Sequence, residues 1–231
     1  MKPTENDIGI AKKIVSEIME RNFSYAVSFH KTNSKFYDFY RPGAHSWMTE
    51  NESYLVDEGI DMGWGATKVC LVSEELTNWV IKVGLLFSTD PDAATKIDKD
   101  FCALEAKYYQ EAVAAGLGHF FSATYELCEV DGIKFYLQER ADANEVKISD
   151  LFYYYEQSEY GFEEGEDRLD DAVADMEDEE RLEAVFGEEK EIVKLKAFIH
   201  EWNINDLHEG NFGITPNGFY KIIDFSGYIS Y

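Results

Sequence analysis

Three polar residues in the last thirty positions are spaced so that they could act together on a phosphate. Asn211 follows Asp206 by five residues, and Asp224 follows Asn211 by thirteen. Asp206 could orient a hydroxyl nucleophile, while the amide of Asn211 and the carboxylate of Asp224 could hold Mg²⁺ against the phosphates of a nucleotide. The chemistry that this spacing indicates is phosphoryl transfer.

A β-hairpin is the element that must bring Asn211 and Asp224 together. Residues 212–214 and 219–223 have the apolar character of two short strands, and Thr215-Pro216-Asn217-Gly218 lies between them. Proline and Asn-Gly are typical of tight turns. The hairpin is therefore predicted to return Asp224 to the side of Asn211.

These segments resemble the catalytic and metal-binding segments of the protein kinase-like fold. The resemblance is carried by the pattern D-x-x-x-x-N at Asp206 and Asn211, followed by D-F at Asp224. It implies that Asp206 is the catalytic base, that Asn211 and Asp224 bind Mg²⁺, and that ATP is the phosphate donor. His208 is placed as in aminoglycoside phosphotransferases, where it could stabilise the transferred charge; the alternative is a neutral histidine hydrogen-bonded within its loop.

The chain departs from the usual kinase pattern at two places, each next to a residue of the motif. Asn205 stands where the Arg of H-R-D is expected, and Ser226 stands where the Gly of D-F-G is expected. Only a few residues follow Asp224, which leaves little room for an activation segment. The resemblance, over roughly residues 52–228, thus implies a nucleotide site on a strongly reduced, mainly helical C-lobe.

The upstream half of the kinase pattern is expected in residues 52–83, as a strand, a glycine-bearing turn and two further strands. By resemblance, Gly63 and Gly65 belong to a loop that covers the nucleotide, although a third glycine is missing. Lys82 would then contact the phosphates. Its partner would be Glu105 on a helix predicted over residues 99–115, with Glu111 as the competing candidate.

Two more strands complete the predicted five-stranded antiparallel sheet. Residues 122–130 and 133–138 flank Asp131-Gly132, a favourable two-residue hairpin turn. The segment that follows resembles the hinge between kinase lobes. By that resemblance Gln138 would stand at the rear of the adenine pocket, and backbone groups of Glu139 and Ala141 would hydrogen-bond the base.

Composition excludes several classes of protein. With 231 residues, 45% of them hydrophobic, the chain is long and apolar enough for a globular core. Its net charge of -25 argues against nucleic-acid binding. The sequence also predicts no membrane span and no secretory signal. Three widely spaced cysteines favour reduced thiols, and hence a cytoplasmic location.

One segment carries more than half of the net charge. Residues 156–191 hold 17 acidic and 3 basic residues, which is 3 − 17 = −14. Such a segment is usually a solvated insertion. The alternative is a docking surface for a basic protein partner or substrate.

The sequence thus predicts an α+β protein with a bilobal kinase-like fold. Residues 1–50 form a helical and aromatic extension, in which an amphipathic helix over residues 7–21 packs on the body of the protein. Residues 51–141 form the N-lobe, and residues 142–231 form the reduced C-lobe, as in small phage or bacterial kinase-like proteins. The C-lobe is predicted to contain helices over residues 151–155 and 190–202, on either side of the acidic segment. The predicted function is Mg-ATP-dependent phosphotransfer to a hydroxyl acceptor. The alternatives are an inactive pseudokinase and an acidic inhibitor or adaptor.

Overall fold

The structure is a computed structural model, and it describes residues 1–31, 40–65, 67–85, 87–88, 100–143, 189–204, 207 and 211–226. The chain divides into two compact units. The first unit contains Met1–Ala106 and Ala123–Arg140, and the second contains Lys107–Ser122 and Ala141–Tyr231. Most of the acidic segment and the helix predicted over residues 151–155 lie outside the described residues. The fold is mixed α+β.

A five-stranded antiparallel sheet forms the centre of the first unit, as predicted from the sequence. Its strands are β3 (Ile60–Trp64), β4 (Lys68–Ser73), β5 (Trp79–Gly84), β7 (Thr124–Val130) and β8 (Ile133–Glu139). Their order across the sheet is β3-β4-β5-β8-β7. Helix α5 (Phe101–Ala114) lies in sequence between β5 and β7. It corresponds closely to the predicted helix over residues 99–115.

Turn chemistry explains one hairpin of this sheet. Asp131 and Gly132 link β7 to β8, and both have positive φ, 52° and 78°. A two-residue turn of this kind requires positive φ at both positions, which Asp-Gly tolerates. The predicted hairpin is therefore confirmed.

The start of the sheet differs from the prediction, because Glu52–Asp57 is a helix, α4, rather than a strand. Of its residues only Leu55 is buried, so the segment lacks the alternating burial of a strand. Gly59, with φ 57°, follows the helix, and its N–H donates to the carbonyl oxygen of Val56. This left-handed glycine ends the helix and lets β3 begin at Ile60.

The two faces of the sheet differ in chemistry. One face carries the rungs Val69–Val83–Phe135 and Leu71–Ile81–Leu137, all buried. The other carries the rung Cys70–Lys82–Tyr136. Every residue of β5 is buried, so the polar side chains of the second face are enclosed as well.

The N-terminal region covers the apolar face. Helix α1 (Glu5–Glu20) begins with a capping box between Thr4 and Asp7 and contacts β7. The ring of Phe23, in α2 (Phe23–Ala26), lies 6.1 Å from that of Phe135 and 5.1 Å from that of Trp47, in α3 (Ala44–Glu50). The predicted packing of the N-terminal helix, α1, on the body of the protein is confirmed. Strands β1 (Ser28–Lys31), β2 (Tyr40–Pro42) and β6 (Phe87–Ser88) form a second sheet, ordered β2-β1-β6.

The second unit contains a small sheet and part of a helical core. Strands β9 (Asp142–Ala143), β10 (Phe212–Ile214) and β11 (Tyr220–Ile222) are ordered β11-β10-β9. Helix α6 (Glu189–Glu201) corresponds to the helix predicted over residues 190–202. The ring of Phe121 contacts those of Phe198 and Phe225 at 5.7 and 5.0 Å. These aromatic contacts attach α6 to the segment that follows β11.

None of the helices in the described part of the chain combines the length and the apolar character that crossing a membrane requires.

Candidate functional site

Lys82 and Glu105 form an ion pair, the pairing that the family resemblance implied, and both residues are buried. Strand β5 places Lys82 on the polar face of the sheet, and α5 places Glu105 against it, with Lys82 Nζ 3.2 Å from Glu105 Oε2. Glu105 is 0% exposed and Lys82 is 8% exposed. Glu111, the competing candidate, is exposed on the same helix. The structure thus selects Glu105.

Two further residues contact the same carboxylate, and sequence reasoning missed both contacts. Lys68, at the start of β4, places its Nζ 2.5 Å from Glu105 Oε1. Gln138, near the end of β8, donates from Nε2 to Glu105 Oε2 at 3.2 Å. The sequence signal was weak, because β4 also contains Ser73 and β8 also contains Lys134 and Glu139. We call Lys68, Lys82, Glu105 and Gln138 the Glu105 cluster.

The start of α5 is fixed by Asp100. Its Oδ1 accepts hydrogen bonds from the backbone N–H groups of Cys102 and Ala103, both at 3.0 Å, in the manner of a helix N-cap. The hydroxyl of Tyr136 donates to Asp100 Oδ2 at 2.7 Å. Burial, together with this hydrogen bond, raises the pKa of Tyr136 above its ordinary value. The strand that faces Lys82 therefore also anchors the helix that carries Glu105.

Two thiols lie near the Glu105 cluster and are poorly suited to nucleophilic chemistry. Burial raises the pKa of the Cys70 thiol, although the nearby Lys82 lowers it. Burial raises the pKa of Cys102 well above its ordinary value, and Glu105 raises it further. Because the thiolate is the reactive form, a raised pKa lowers the reactivity of both thiols at neutral pH. Both are free thiols, and Cys128 is free as well.

Gly63 lies within β3, and Gly65 lies in the turn between β3 and β4. The N–H of Gly65 donates to the carbonyl oxygen of Lys68 at 2.9 Å, and Gly63 is opposite Cys70 in the sheet. A Cβ added to either glycine would meet no atom within 4 Å. Packing against the described residues therefore does not require glycine at these positions, whereas a ligand that lies close to the backbone would.

The predicted hinge residues occupy the end of β8 and the segment after it. The N–H of Glu139 donates to the carbonyl oxygen of Ala123 at 2.8 Å, and Glu139 Oε2 accepts from the N–H of Ala123 at 3.2 Å. The Glu139 N–H is thus used within the fold, and a contact between this N–H and a base is not compatible with the structure. Ala141 precedes β9 and belongs to the second unit.

The hairpin that carries Asn211 and Asp224 is confirmed. Phe212 pairs with Ile222, and the N–H of Ile223 donates to the carbonyl oxygen of Asn211 at 2.8 Å. Ile223 is therefore the neighbour of Asn211 across the hairpin, and Asp224 is the residue after Ile223. Asn211 is buried and Asp224 is partly exposed.

The predicted catalytic residues Asp206 and His208 lie outside the described residues. Within the residues that the structure describes, no group of three or more His, Cys, Asp or Glu side chains could hold a metal ion. The two predicted metal ligands, Asn211 and Asp224, supply one amide and one carboxylate. The Glu105 cluster lies in the first unit, and the hairpin with Asn211 and Asp224 lies in the second.

Comparisons of this chain with protein-family models, with curated proteins and with solved structures found no match. Function is therefore argued from the residues of the chain itself.

Proposed function

We propose that this protein is a Mg-ATP-dependent phosphotransferase of the protein kinase-like superfamily, which transfers the γ-phosphate to a hydroxyl acceptor. The observation that carries the proposal is the buried pair of Lys82 and Glu105. Lys82 lies on the third strand of a five-stranded antiparallel sheet, and Glu105 lies on the helix after it. Protein kinases use a lysine on the third strand, paired with a glutamate on the following helix, to position phosphates.

Stability alone is a weak reason for such a pair. Removing a lysine and a glutamate from water carries a desolvation penalty, which the attraction between them often only offsets. Apolar residues of similar volume would fill the same space without that penalty, and the rest of β5 is apolar apart from its glycine. A lysine held at a fixed point is explained better by a ligand that needs its charge.

The hairpin of the second unit would supply the metal ligands. Amide and carboxylate oxygens, as in Asn211 and Asp224, are ligands that suit Mg²⁺. When bound, Mg²⁺ neutralises charge on the phosphates. Asp206 would orient the acceptor hydroxyl and take its proton, and His208 would stabilise transferred charge. Gly63 and Gly65 would let the backbone approach the phosphates.

We infer a bilobal kinase-like arrangement in which the second unit is a reduced, mainly helical C-lobe. The carbonyl oxygen of Glu139 and backbone groups of Ala141 would meet the base. Three free thiols favour a reducing compartment, which supports a cytoplasmic protein. The acidic segment, residues 156–191, would dock a basic partner or substrate.

A second candidate is a nucleotide-binding module without turnover, a pseudokinase. The observation that favours it is Lys68, whose Nζ is nearer to the Glu105 carboxylate than that of Lys82, at 2.5 against 3.2 Å. A second lysine that holds Glu105 would stabilise a scaffold whether or not phosphate is transferred.

Substitution of Asp206 by Asn separates the two candidates. We expect Asp206→Asn to keep the native dissociation constant for Mg-ATP while release or transfer of labelled γ-phosphate falls by about 10² to 10⁴, the contribution of a positioned base. Glu111→Gln, an exposed change of the same kind, should leave both quantities unchanged. A native chain that binds Mg-ATP but releases or transfers no phosphate would favour the pseudokinase instead.

A further inference from the structure

The orientation of the Gln138 side-chain amide is fixed by two acceptors. Its Nε2 donates to Glu105 Oε2 at 3.2 Å and to Thr124 Oγ1 at 3.0 Å. Glu105 is contacted by the ammonium groups of Lys68 and Lys82, which favour its ionised form. An ionised carboxylate only accepts hydrogen bonds. The nitrogen of the amide must therefore face Glu105.

The opposite orientation is unfavourable for the same reason. It would place the carbonyl oxygen Oε1 of Gln138 against the carboxylate of Glu105, with no hydrogen between two acceptors. Gln138 is 2% exposed, so water could not relieve this repulsion cheaply. The side chain thus presents Oε1, a hydrogen-bond acceptor, on the side away from Glu105.

The sheet register places this acceptor on the same face as Lys82. Lys82 is opposite Tyr136, and Val80 is opposite Gln138. Because residues two apart on a strand share a face, Gln138 is a diagonal neighbour of Lys82. A nucleotide whose phosphates contact Lys82 would therefore have Gln138 within the same binding region.

We propose that Gln138 determines which purine nucleotide this site accepts, an inference that rests on the proposed function. Gln138 Oε1 accepts a hydrogen bond from the exocyclic 6-amino group of adenine. A 6-oxo group, as in guanine, would instead face Oε1 with its own lone pairs. A site built to bond an amino group discriminates against analogues that lack it. One net hydrogen bond corresponds to a preference of about tenfold.

Calorimetry on the full chain with ATP, GTP and purine riboside triphosphate, each with Mg²⁺, tests this inference. Purine riboside triphosphate lacks the 6-amino group and carries no 6-oxo group. We expect the native chain to bind ATP about tenfold more tightly than either analogue. Gln138→Met, which keeps the length of the side chain without its amide, should reduce that ratio to near one. Thr124→Val should preserve the ratio, because Glu105 still orients the amide.

An unchanged ATP preference in Gln138→Met would overturn the inference, because the selectivity would then come from other groups. If that variant does not fold, the native chain still decides: equal dissociation constants for ATP and purine riboside triphosphate contradict a hydrogen bond to the 6-amino group. Equal binding of all three nucleotides would overturn this inference alone. Absence of binding by any of them would overturn the proposed function as well.

Discussion

Substitution of Glu105 by Gln should be among the most destabilising single changes in this protein. It keeps the shape of the side chain but removes the negative charge between Lys68 and Lys82, whose side chains are only 7% and 10% exposed. Removing one member of a buried ion pair costs about 3 to 5 kcal/mol. With a urea dependence of about 2 kcal/mol per molar, the unfolding midpoint should fall by about 1.5 to 2.5 M.

The assay is urea unfolding at 25 °C, followed by tryptophan fluorescence. Glu111→Gln is the matched control, because it makes the same chemical change six residues later, at an exposed position of α5. Its free energy of unfolding should stay within about 0.5 kcal/mol of the native value. Equal midpoints for the two variants would refute the buried cluster, because Glu105 would then behave as an ordinary surface carboxylate.

Two other predictions concern glycines and thiols. Gly213→Ala should lower the free energy of unfolding by about 1 to 3 kcal/mol, because its Cβ would lie 2.8 and 2.9 Å from the backbone carbonyl oxygens of Asp142 and Ala141. Gly63→Ala should change the free energy of unfolding little, because its Cβ would meet no atom within 4 Å. Equal shifts of the melting temperature in the two variants would contradict this difference. Burial raises the pKa of both Cys102 and Cys128, but only Cys102 is fully buried. A thiol reagent at pH 8 should therefore label Cys128 first and Cys102 only on unfolding; equal labelling rates in the native protein would disagree with the fold.

Local chemistry explains why parts of this fold were predictable. Asp131-Gly132 tolerates the positive φ that a two-residue turn requires, and Gly218, with φ 83°, does the same in the turn before Phe219, so both hairpins could be placed from the sequence. The same holds for α5, where apolar spacing sets the buried face and leaves Glu105 as an inward-facing charge. The pairing of Lys82 with Glu105 followed from the family resemblance and agrees with the geometry.

The contacts that were not predicted depend on tertiary structure. Lys68, Gln138 and Glu105 are far apart in sequence, and only the sheet register and the position of α5 bring them together. Helix α4 was predicted as a strand because a short apolar run is compatible with either element. The single buried residue Leu55 and the left-handed Gly59 decide in favour of a helix.

Thermal unfolding with ATP is the sharpest test of the proposed Mg-dependent nucleotide site. At a free ligand concentration of about 100 times the dissociation constant, binding stabilises the folded state by about 2.7 kcal/mol. For a chain of this size the melting temperature should rise by about 5 to 11 °C. We expect this rise to require Mg²⁺ and to be lost in Asp224→Ala. No rise in the native chain, or an equal rise in both proteins, would contradict the proposed nucleotide site.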